Sequence, residues 1–115
     1  MTYNWSMKFV QTKRYLRDMK RLGASVAEIA RLEQIIAADP RAGDVIPGLG
    51  GLRKLRFALA GRGKRGGGRA IYFLLAADDL AVMVFAWSKS EKEDLTVDEK
   101  KAALALMKEI ANEKR

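Results

Sequence analysis

The chain of 115 residues contains neither cysteine nor histidine. Without cysteine there is no disulfide, thiol nucleophile or thiolate ligand, and without histidine there is no imidazole for metal binding or acid–base catalysis. These absences exclude a zinc site, and we predict no metal and no cofactor. Any catalysis must use lysine, arginine, tyrosine, hydroxyl or carboxyl side chains.

Long hydrophobic runs are also absent. No apolar run approaches about 20 residues, the length that spans a bilayer, and the first nine residues, MTYNWSMKF, lack the apolar centre of a secretory signal. We therefore expect a cytoplasmic protein with no membrane partner. Hydrophobic residues make up 49% of the chain, which is enough for one domain, residues 1–115, with its own core.

The spacing of apolar residues predicts the order β-α-α-β-β-β-α. Two capping boxes, Ser25 with Glu28 and Thr96 with Glu99, mark helix starts, and Gly23 marks a helix end. In chain order the pattern predicts a strand at 5–10, helices at 12–22 and 25–38, a loop at 41–51, strands at 53–59, 70–77 and 80–87, and a last helix from 96.

The predicted strands differ in character. Residues 70–77 and 80–87 are almost wholly apolar, which is typical of central strands covered on both faces. Residues 53–59 alternate between apolar and basic side chains, as in a strand with one exposed face. We predict a single compact α+β domain, in which helices pack on a twisted, mainly antiparallel sheet.

Positive charge is concentrated in one segment. The net charge is +8, which favours nucleic acid or another acidic partner. Seven of the 22 basic residues lie between Arg53 and Arg69, with no acid among them. Those in the glycine-rich stretch can move freely, whereas those on the flanking strands are held in place. The flanking strands are therefore the better candidates for directed chemistry.

The strand cations should converge on one face. A period of two places Lys54 and Arg56 about 7 Å apart on the same side, and hairpin pairing brings Arg69 near them. Phosphoryl transfer requires such a cluster, because one well-placed donor contributes roughly 3–4 kcal/mol to the transition state. From charge alone, a surface that binds RNA or DNA without catalysis explains the cluster slightly better. The predicted RNA contacts beside the catalytic candidates are Arg53, Arg62, Lys64, Arg65 and Tyr72.

A second polar cluster follows the last strand, at residues 88–94. Lys89 and Lys92 are its cations and Glu91 is its candidate carboxylate. By spacing alone, a solvated linker before a capped helix is the better interpretation. The cluster becomes a candidate site if the sheet brings it beside Arg56 and Arg69.

Residues 22–32 resemble the turn and second helix of a helix-turn-helix. A recognition helix presents polar and basic groups to the major groove, whereas this one carries Glu28 and Glu33 with Arg31 as its cation. The sequence therefore favours an antiparallel helical hairpin packed on a sheet. Of the strand aromatics, Phe73, Phe85 and Trp87 are assigned to the core, while Tyr72 is the candidate for base stacking.

The basic hairpin, residues 43–69, and the segment 87–96 resemble the HigB-like branch of the RelE toxin superfamily. The likeness extends over about residues 36–110, and residues 1–35 match in layout only. It implies a toxin of a type II toxin–antitoxin pair with a RelE-like fold. Such toxins cleave mRNA on the ribosome by attack of the ribose 2′-hydroxyl on the adjacent phosphate, without metal. The implied partner is a helix-turn-helix, HigA-like antitoxin.

The resemblance also implies residue roles. Arg56 and Arg69 would stabilise the pentavalent phosphate, and Lys54 or Lys89 would transfer a proton, with Glu91 as the rival base. RelE prototypes carry a tyrosine where this chain has Leu95, so the resemblance does not identify the residue that acts as general base. By position, the implied catalytic set is Lys54, Arg56, Arg69, Lys89, Glu91 and Lys92.

Two other functions remain as alternatives. One is a non-catalytic basic nucleic-acid-binding protein or a gyrase-poisoning, ParE-like toxin, since the basic hairpin fits these as well. The other is a helix-turn-helix regulator, against which the acidic second helix argues.

Overall fold

The computed structural model describes residues 7–60, 67–75 and 79–113. Within these ranges, five strands form one sheet and three helices cover it. The α+β class predicted from the sequence is confirmed. In chain order the elements are β1 (Lys8–Gln11), α1 (Lys13–Leu22), α2 (Val26–Ala38), β2 (Asp44–Val45), β3 (Arg53–Phe57), β4 (Gly68–Leu75), β5 (Leu80–Ser88) and α3 (Val97–Glu113).

The sheet has the strand order β1-β5-β4-β3-β2. β1 pairs with β5 in parallel, and the remaining neighbours are antiparallel. The prediction of a mainly antiparallel sheet is therefore confirmed. β4 and β5 are interior strands, and their almost continuous apolar sequence follows from being covered on both faces.

β2 corrects the predicted loop at 41–51. It consists of two residues that pair with β3, Asp44 opposite Lys54 and Val45 opposite Arg53. A strand of two residues is too short to show the alternation of apolar and polar residues by which strands are predicted from sequence. Gly43 permits its approach, because a Cβ at this position would lie 2.4 Å from the Lys54 carbonyl oxygen and the backbone φ is +81°.

The two faces of the sheet carry different helices. α1 and α2 cover one face and α3 covers the other, since successive strand residues point to opposite sides. The helical hairpin packed on a sheet, favoured above over a helix-turn-helix, is thus what forms. Buried side chains of the first cluster include Tyr15, Leu32, Ile36, Leu55 and Tyr72, and those of the second include Ile71, Phe73, Trp87, Leu95 and Ala103.

The helix ends follow the predicted local signals. Gly23 ends α1 in the left-handed conformation, with a φ of 69°. Ser25 and Glu28 form the reciprocal capping box of α2, and Thr96 and Glu99 form that of α3. Across the described ranges, no helix has both the length and the apolar character needed to cross a membrane.

Candidate active site

The hairpin of β3 and β4 holds the strand cations in a fixed register. Arg56 lies directly opposite Arg69 in the antiparallel pair, and Lys54 is two residues further along β3. Leu55 and Phe57 point to the opposite face and are buried there. The predicted alternation along β3 therefore places Lys54 and Arg56 on one side of the sheet.

Gly68 makes room for the Phe57 ring at the loop end of this hairpin. A Cβ at Gly68 would lie 2.4 Å from the ring of Phe57, its cross-strand partner. Glycine at this position thus allows the aromatic ring to lie against the backbone of β4. The packing fixes the start of β4, and with it the position of Arg69.

A polar groove of about 300 Å³ lies beside these strands. Four cations and two carboxylates line it, so positive charge dominates. Four of the predicted catalytic residues are brought together here, from β3, β4 and the turn after β5. The lining residues are Asp44, Lys54, Arg56, Arg69, Lys89 and Glu93. We call this the basic groove.

Lys89 reaches the basic groove because β5 ends where β4 begins. Ser88, the last residue of β5, pairs with Gly68. The Lys89 backbone N–H then donates a hydrogen bond of 3.0 Å to the carbonyl oxygen of Gly67. The turn that follows β5 therefore lies over the start of β4, next to Arg69, as the sequence argument required.

Arg56 and Arg69 form an electrostatically unfavourable pair in the free protein. Like charges directly opposite each other on neighbouring strands repel. Partial burial, followed by the positive charge of Arg56, lowers the pKa of Arg69 from its ordinary value. Arg69 also donates from Nη1 to the Gly68 carbonyl oxygen at 3.0 Å. An anion bound between the two guanidinium groups would offset their repulsion.

The carboxylates of the basic groove were missed by sequence reasoning. Asp44 lies on β2, within the predicted loop, and reaches the groove because it pairs with Lys54. Glu93 lies in the same acidic cluster as Glu91. The backbone there is irregular, so no helix or strand periodicity indicates which of the two side chains faces the groove. Asp94, the next residue, approaches Lys54 with 3.7 Å between Oδ1 and Nζ.

Glu91 is not in the basic groove, which corrects its assignment as a candidate base. Although it lies in the described part of the chain, it is not among the groove's lining residues. Its carboxylate accepts from Arg21 Nε and Nη2, at 2.9 and 3.1 Å, and from the Ser88 backbone N–H at 3.1 Å. Glu91 therefore joins α1 to the turn after β5.

Asp18 continues this connection into the core. Its side chain is buried, with 1% of the residue exposed, and it accepts from the backbone N–H of Ala86 in β5 at 3.0 Å. Arg14 and Arg21 both donate to it. The hydrogen bond that Arg21 donates to the Glu91 carboxylate raises the pKa of Arg21. The network fixes the end of β5, and so the start of the segment that carries Lys89 and Glu93.

Lys92 is likewise directed away from the basic groove. Its ammonium group contacts both carboxylate oxygens of Glu99, at 2.5 and 2.6 Å, and lies 5.2 Å from the centre of the Trp87 ring. Burial of Glu99 acts to raise its pKa, but the hydrogen bonds from Lys92 and Thr96 outweigh burial and lower it. The assignment of Lys92 as catalytic is therefore replaced by a structural one at the start of α3.

Tyr72 cannot stack on a base, so its assignment as an RNA contact is wrong. The residue is fully buried, and its hydroxyl donates to the carbonyl oxygens of Ala42 and Pro40 at 2.6 and 3.0 Å. Burial raises the pKa of Tyr72 to about 12. Its place in β4, with the side chain on the α1–α2 face, accounts for this.

The other predicted RNA contacts divide into two groups. Arg53 Nη1 donates to the carbonyl oxygens of Arg41 and Gly43, at 2.7 and 3.2 Å, so this guanidinium supports the segment before β2. Arg53 is not among the lining residues of the basic groove, as judged from the described ranges. Arg62, Lys64 and Arg65 lie outside the described residues.

Comparison with solved structures shows the same fold in a bacterial toxin. An arginine-to-alanine double mutant of the E. coli toxin RelE in the free state matches with a TM-score of 0.54 and 17% identity, covering 81% of this chain and 90% of that one. The isolated E. coli RelE toxin matches with a TM-score of 0.51 and 16% identity, covering 91% and 99%.

The family comparison extends over almost the whole chain. A family model described as the RelE toxin of the RelE/RelB toxin–antitoxin system matches residues 7–115. The match includes both parts of the sequence that resemble this superfamily, the basic hairpin and the segment after β5. The chain belongs to the RelE family of toxins from toxin–antitoxin systems.

Proposed function

We propose that this toxin is a ribosome-dependent mRNA endonuclease of the HigB-like branch, with the basic groove as its active site. One observation carries the proposal: Arg56 and Arg69 face each other across two strands, with Lys54 and Lys89 beside them around one groove. Three cations held by paired strands, with Lys89 in the turn after β5, can be aimed at a single phosphate. A surface that only attracted nucleic acid would not need such a fixed register.

The proposed reaction begins with the ribose 2′-hydroxyl. Its oxygen attacks the adjacent phosphorus, a P–O bond forms, and the bond from phosphorus to the 5′ oxygen breaks. The products are a 2′,3′-cyclic phosphate and a free 5′-hydroxyl. Arg56 and Arg69 bind the non-bridging oxygens, which gain negative charge in the transition state. Each such donor contributes about 3–4 kcal/mol when it is preorganised.

Two protons must move in this reaction. A carboxylate oxygen can accept a proton, and an ammonium group carries N–H groups that can donate one. Glu93 therefore suits the acceptance of the 2′-hydroxyl proton, and Lys89 suits donation to the leaving 5′ oxygen. Lys54, which lies near Asp94 and opposite Asp44, orients the substrate phosphate. Glu93 replaces Glu91 as the proposed carboxylate base.

The family pairs each toxin with an antitoxin. We extend the proposal to a helix-turn-helix, HigA-like antitoxin, in line with the branch that the sequence resembles. The proposed substrate is mRNA on the ribosome, which places the protein in the cytoplasm. Arg62, Lys64 and Arg65, in the glycine-rich segment, remain proposed RNA contacts.

Induced expression of the wild type and of Arg69→Ala tests the function. The wild type should arrest growth and leave mRNA cut at defined codon positions. Arg69→Ala should reduce cleavage by about 10²- to 10³-fold, because one preorganised donor to the developing charge is lost. Primer extension on a reporter mRNA measures the cuts.

Arg17→Ala is the matched control, because Arg17 is an exposed arginine of α1 outside the basic groove. It should cut as the wild type does. Growth arrest with intact mRNA and damaged DNA would instead support a gyrase poison. Equal cleavage of naked RNA and ribosome-bound mRNA would contradict ribosome dependence.

A further inference from the structure

A second cavity, of about 420 Å³, lies at the α2 side of the β3–β4 hairpin. Its volume is within the range of small-molecule sites. Arg56 and Arg69 line both this cavity and the basic groove. The two spaces are therefore neighbours that share the cations proposed to hold the phosphate.

The cavity has an apolar wall and a cationic side. Leu32 and Phe57 are buried, with 1% and 7% of each residue exposed, and Ile35 beside them is 38% exposed. The cations are Arg56, Arg69 and Arg31 of α2. A matching ligand needs a flat apolar part for the wall and a negative charge for the arginines. A nucleotide has both, because every base has an apolar face that stacks on aromatic or guanidinium groups.

Glu28 indicates which way round a nucleotide would lie in the cavity. Its carboxylate lines the cavity and accepts hydrogen bonds from the backbone N–H groups of Ser25 and Ala60, at 2.9 and 2.5 Å. The hydrogen bond from Ser25, followed by that from Ala60, lowers the pKa of Glu28. An ionised carboxylate repels a phosphate but keeps lone pairs that accept from the N–H groups of a base. The phosphate should therefore lie at Arg56 and Arg69, with the base towards Glu28.

We propose that this cavity binds the base of a nucleotide that flanks the scissile phosphate, and so sets the base preference of the toxin. The inference rests on the proposed endonuclease function. In it, Arg56 and Arg69 hold the phosphate, the apolar wall of Leu32, Ile35 and Phe57 receives the ring, and Arg31 stacks on the exposed side. Glu28 accepts from the polar edge of the base.

Ligand binding to the isolated toxin, without ribosomes, tests the cavity separately from cleavage. The probes are adenosine, cytidine, guanosine and uridine 5′-monophosphates, with ribose 5-phosphate as the ligand that has the phosphate but no base. At least one nucleotide should bind about tenfold more tightly than ribose 5-phosphate, since stacking of one base is worth about 1–3 kcal/mol. Amide and methyl NMR signals of Ile35 and Ala58 should shift with the nucleotide and not with ribose 5-phosphate.

Two substitutions locate the binding. Ala58→Trp, at an exposed residue that lines the cavity, should reduce nucleotide affinity to that of ribose 5-phosphate and leave the latter unchanged. Ala105→Trp, at an exposed position of α3, is the matched control and should bind as the wild type does. Ile35→Ala removes part of the apolar wall and should weaken nucleotide binding about threefold. It replaces Ala58→Trp as the test if the tryptophan variant does not fold.

Equal affinities for every nucleotide and for ribose 5-phosphate would overturn the inference, as would an equal loss of both in Ile35→Ala or a folded Ala58→Trp. Failure of the proposed function gives a different pattern. In that case the wild-type toxin leaves ribosome-bound mRNA intact, regardless of the affinities measured for the nucleotides and ribose 5-phosphate. If cleavage is confirmed, Ala58→Trp should change which bases flank the cuts, and an unchanged cut pattern would contradict the inference.

Discussion

Arg56 and Arg69 illustrate how single residues can favour function over stability. The two residues lie directly opposite each other on β3 and β4, and partial burial, together with the charge of Arg56, disfavours the charged form of Arg69. An arrangement of this kind is unfavourable in the free protein and becomes favourable once an anion lies between the two groups. Sites that bind charged transition states often carry such a cost in stability.

Replacing one of these arginines should therefore stabilise the free protein. Arg56→Gln removes a like-charge pair worth about 0.2–1 kcal/mol. The melting temperature should rise by about 1–8 °C, since a small domain gains roughly 4–8 °C per kcal/mol. Differential scanning calorimetry in a buffer without phosphate measures the change.

Lys101→Gln, at an exposed position of α3, removes the same charge elsewhere and should leave the melting temperature nearly unchanged. Addition of phosphate should narrow the difference between Arg56→Gln and the wild type. A lower melting temperature for Arg56→Gln would show that the pair is not repulsive.

Among the elements, the connection from β5 to α3 determines which carboxylate lines the basic groove. Within it, Glu91 turns to Arg21 of α1 and to the Ser88 N–H, whereas Glu93 lines the basic groove. Two residues of the same type and charge, two positions apart, thus have different surroundings, for which we propose different roles. The first holds the connection in place, and the second faces the proposed substrate.

Matched glutamate-to-glutamine substitutions should separate these roles. Glu91→Gln weakens a partly exposed ion pair, so it should cost about 0.5–1 kcal/mol of stability, with cleavage by the folded protein changed by less than about threefold. Glu93→Gln should slow cleavage by about 10²-fold or more, as expected when a general base is lost, and leave stability unchanged. Chemical denaturation and single-turnover cleavage on ribosomes give the two readouts. The opposite result, slow cleavage in Glu91→Gln alone, would restore Glu91 as the base.

The elements also show what the sequence could and could not predict. Helix ends were predictable because Gly23, Ser25 and Thr96 act through local backbone chemistry. β2 was not, since its two residues form a strand only through pairing with β3. Tyr72 was misassigned because β4 is apolar on both faces, so alternation does not say which aromatic side chain is covered. Glu91 and Glu93 lie in irregular backbone, where only tertiary contacts decide direction.

For the whole molecule, the net charge of +8 favours an anionic partner, and the number of phosphates contacted determines how binding responds to salt. Binding of single-stranded RNA loses affinity as salt rises, with a slope in log–log form of about −0.7 for each phosphate contact. The four cations of the basic groove predict a slope of about −3 for a short oligonucleotide. Contacts from the glycine-rich segment would make it steeper.

Fluorescence anisotropy with a non-cleavable, 2′-deoxy-substituted oligonucleotide at several salt concentrations tests this estimate. Arg56→Gln should make the slope shallower by about 0.7, and Lys101→Gln should leave it unchanged. Equal slopes for Arg56→Gln and the wild type would place the bound strand outside the basic groove.

The parallel pairing of β1 with β5 has a consequence for how the toxin is made. β1 can find its partner only after β5 has been synthesised, and α1 is tied to the same later part of the chain through Asp18 and Arg21. The nascent chain therefore cannot complete its sheet before β5 has emerged, or bring Glu93 and Arg69 to the same groove before Glu93 has emerged. If the toxin attacks ribosomes as proposed, a nascent chain that still lacks β5 and Glu93 has no complete basic groove with which to do so.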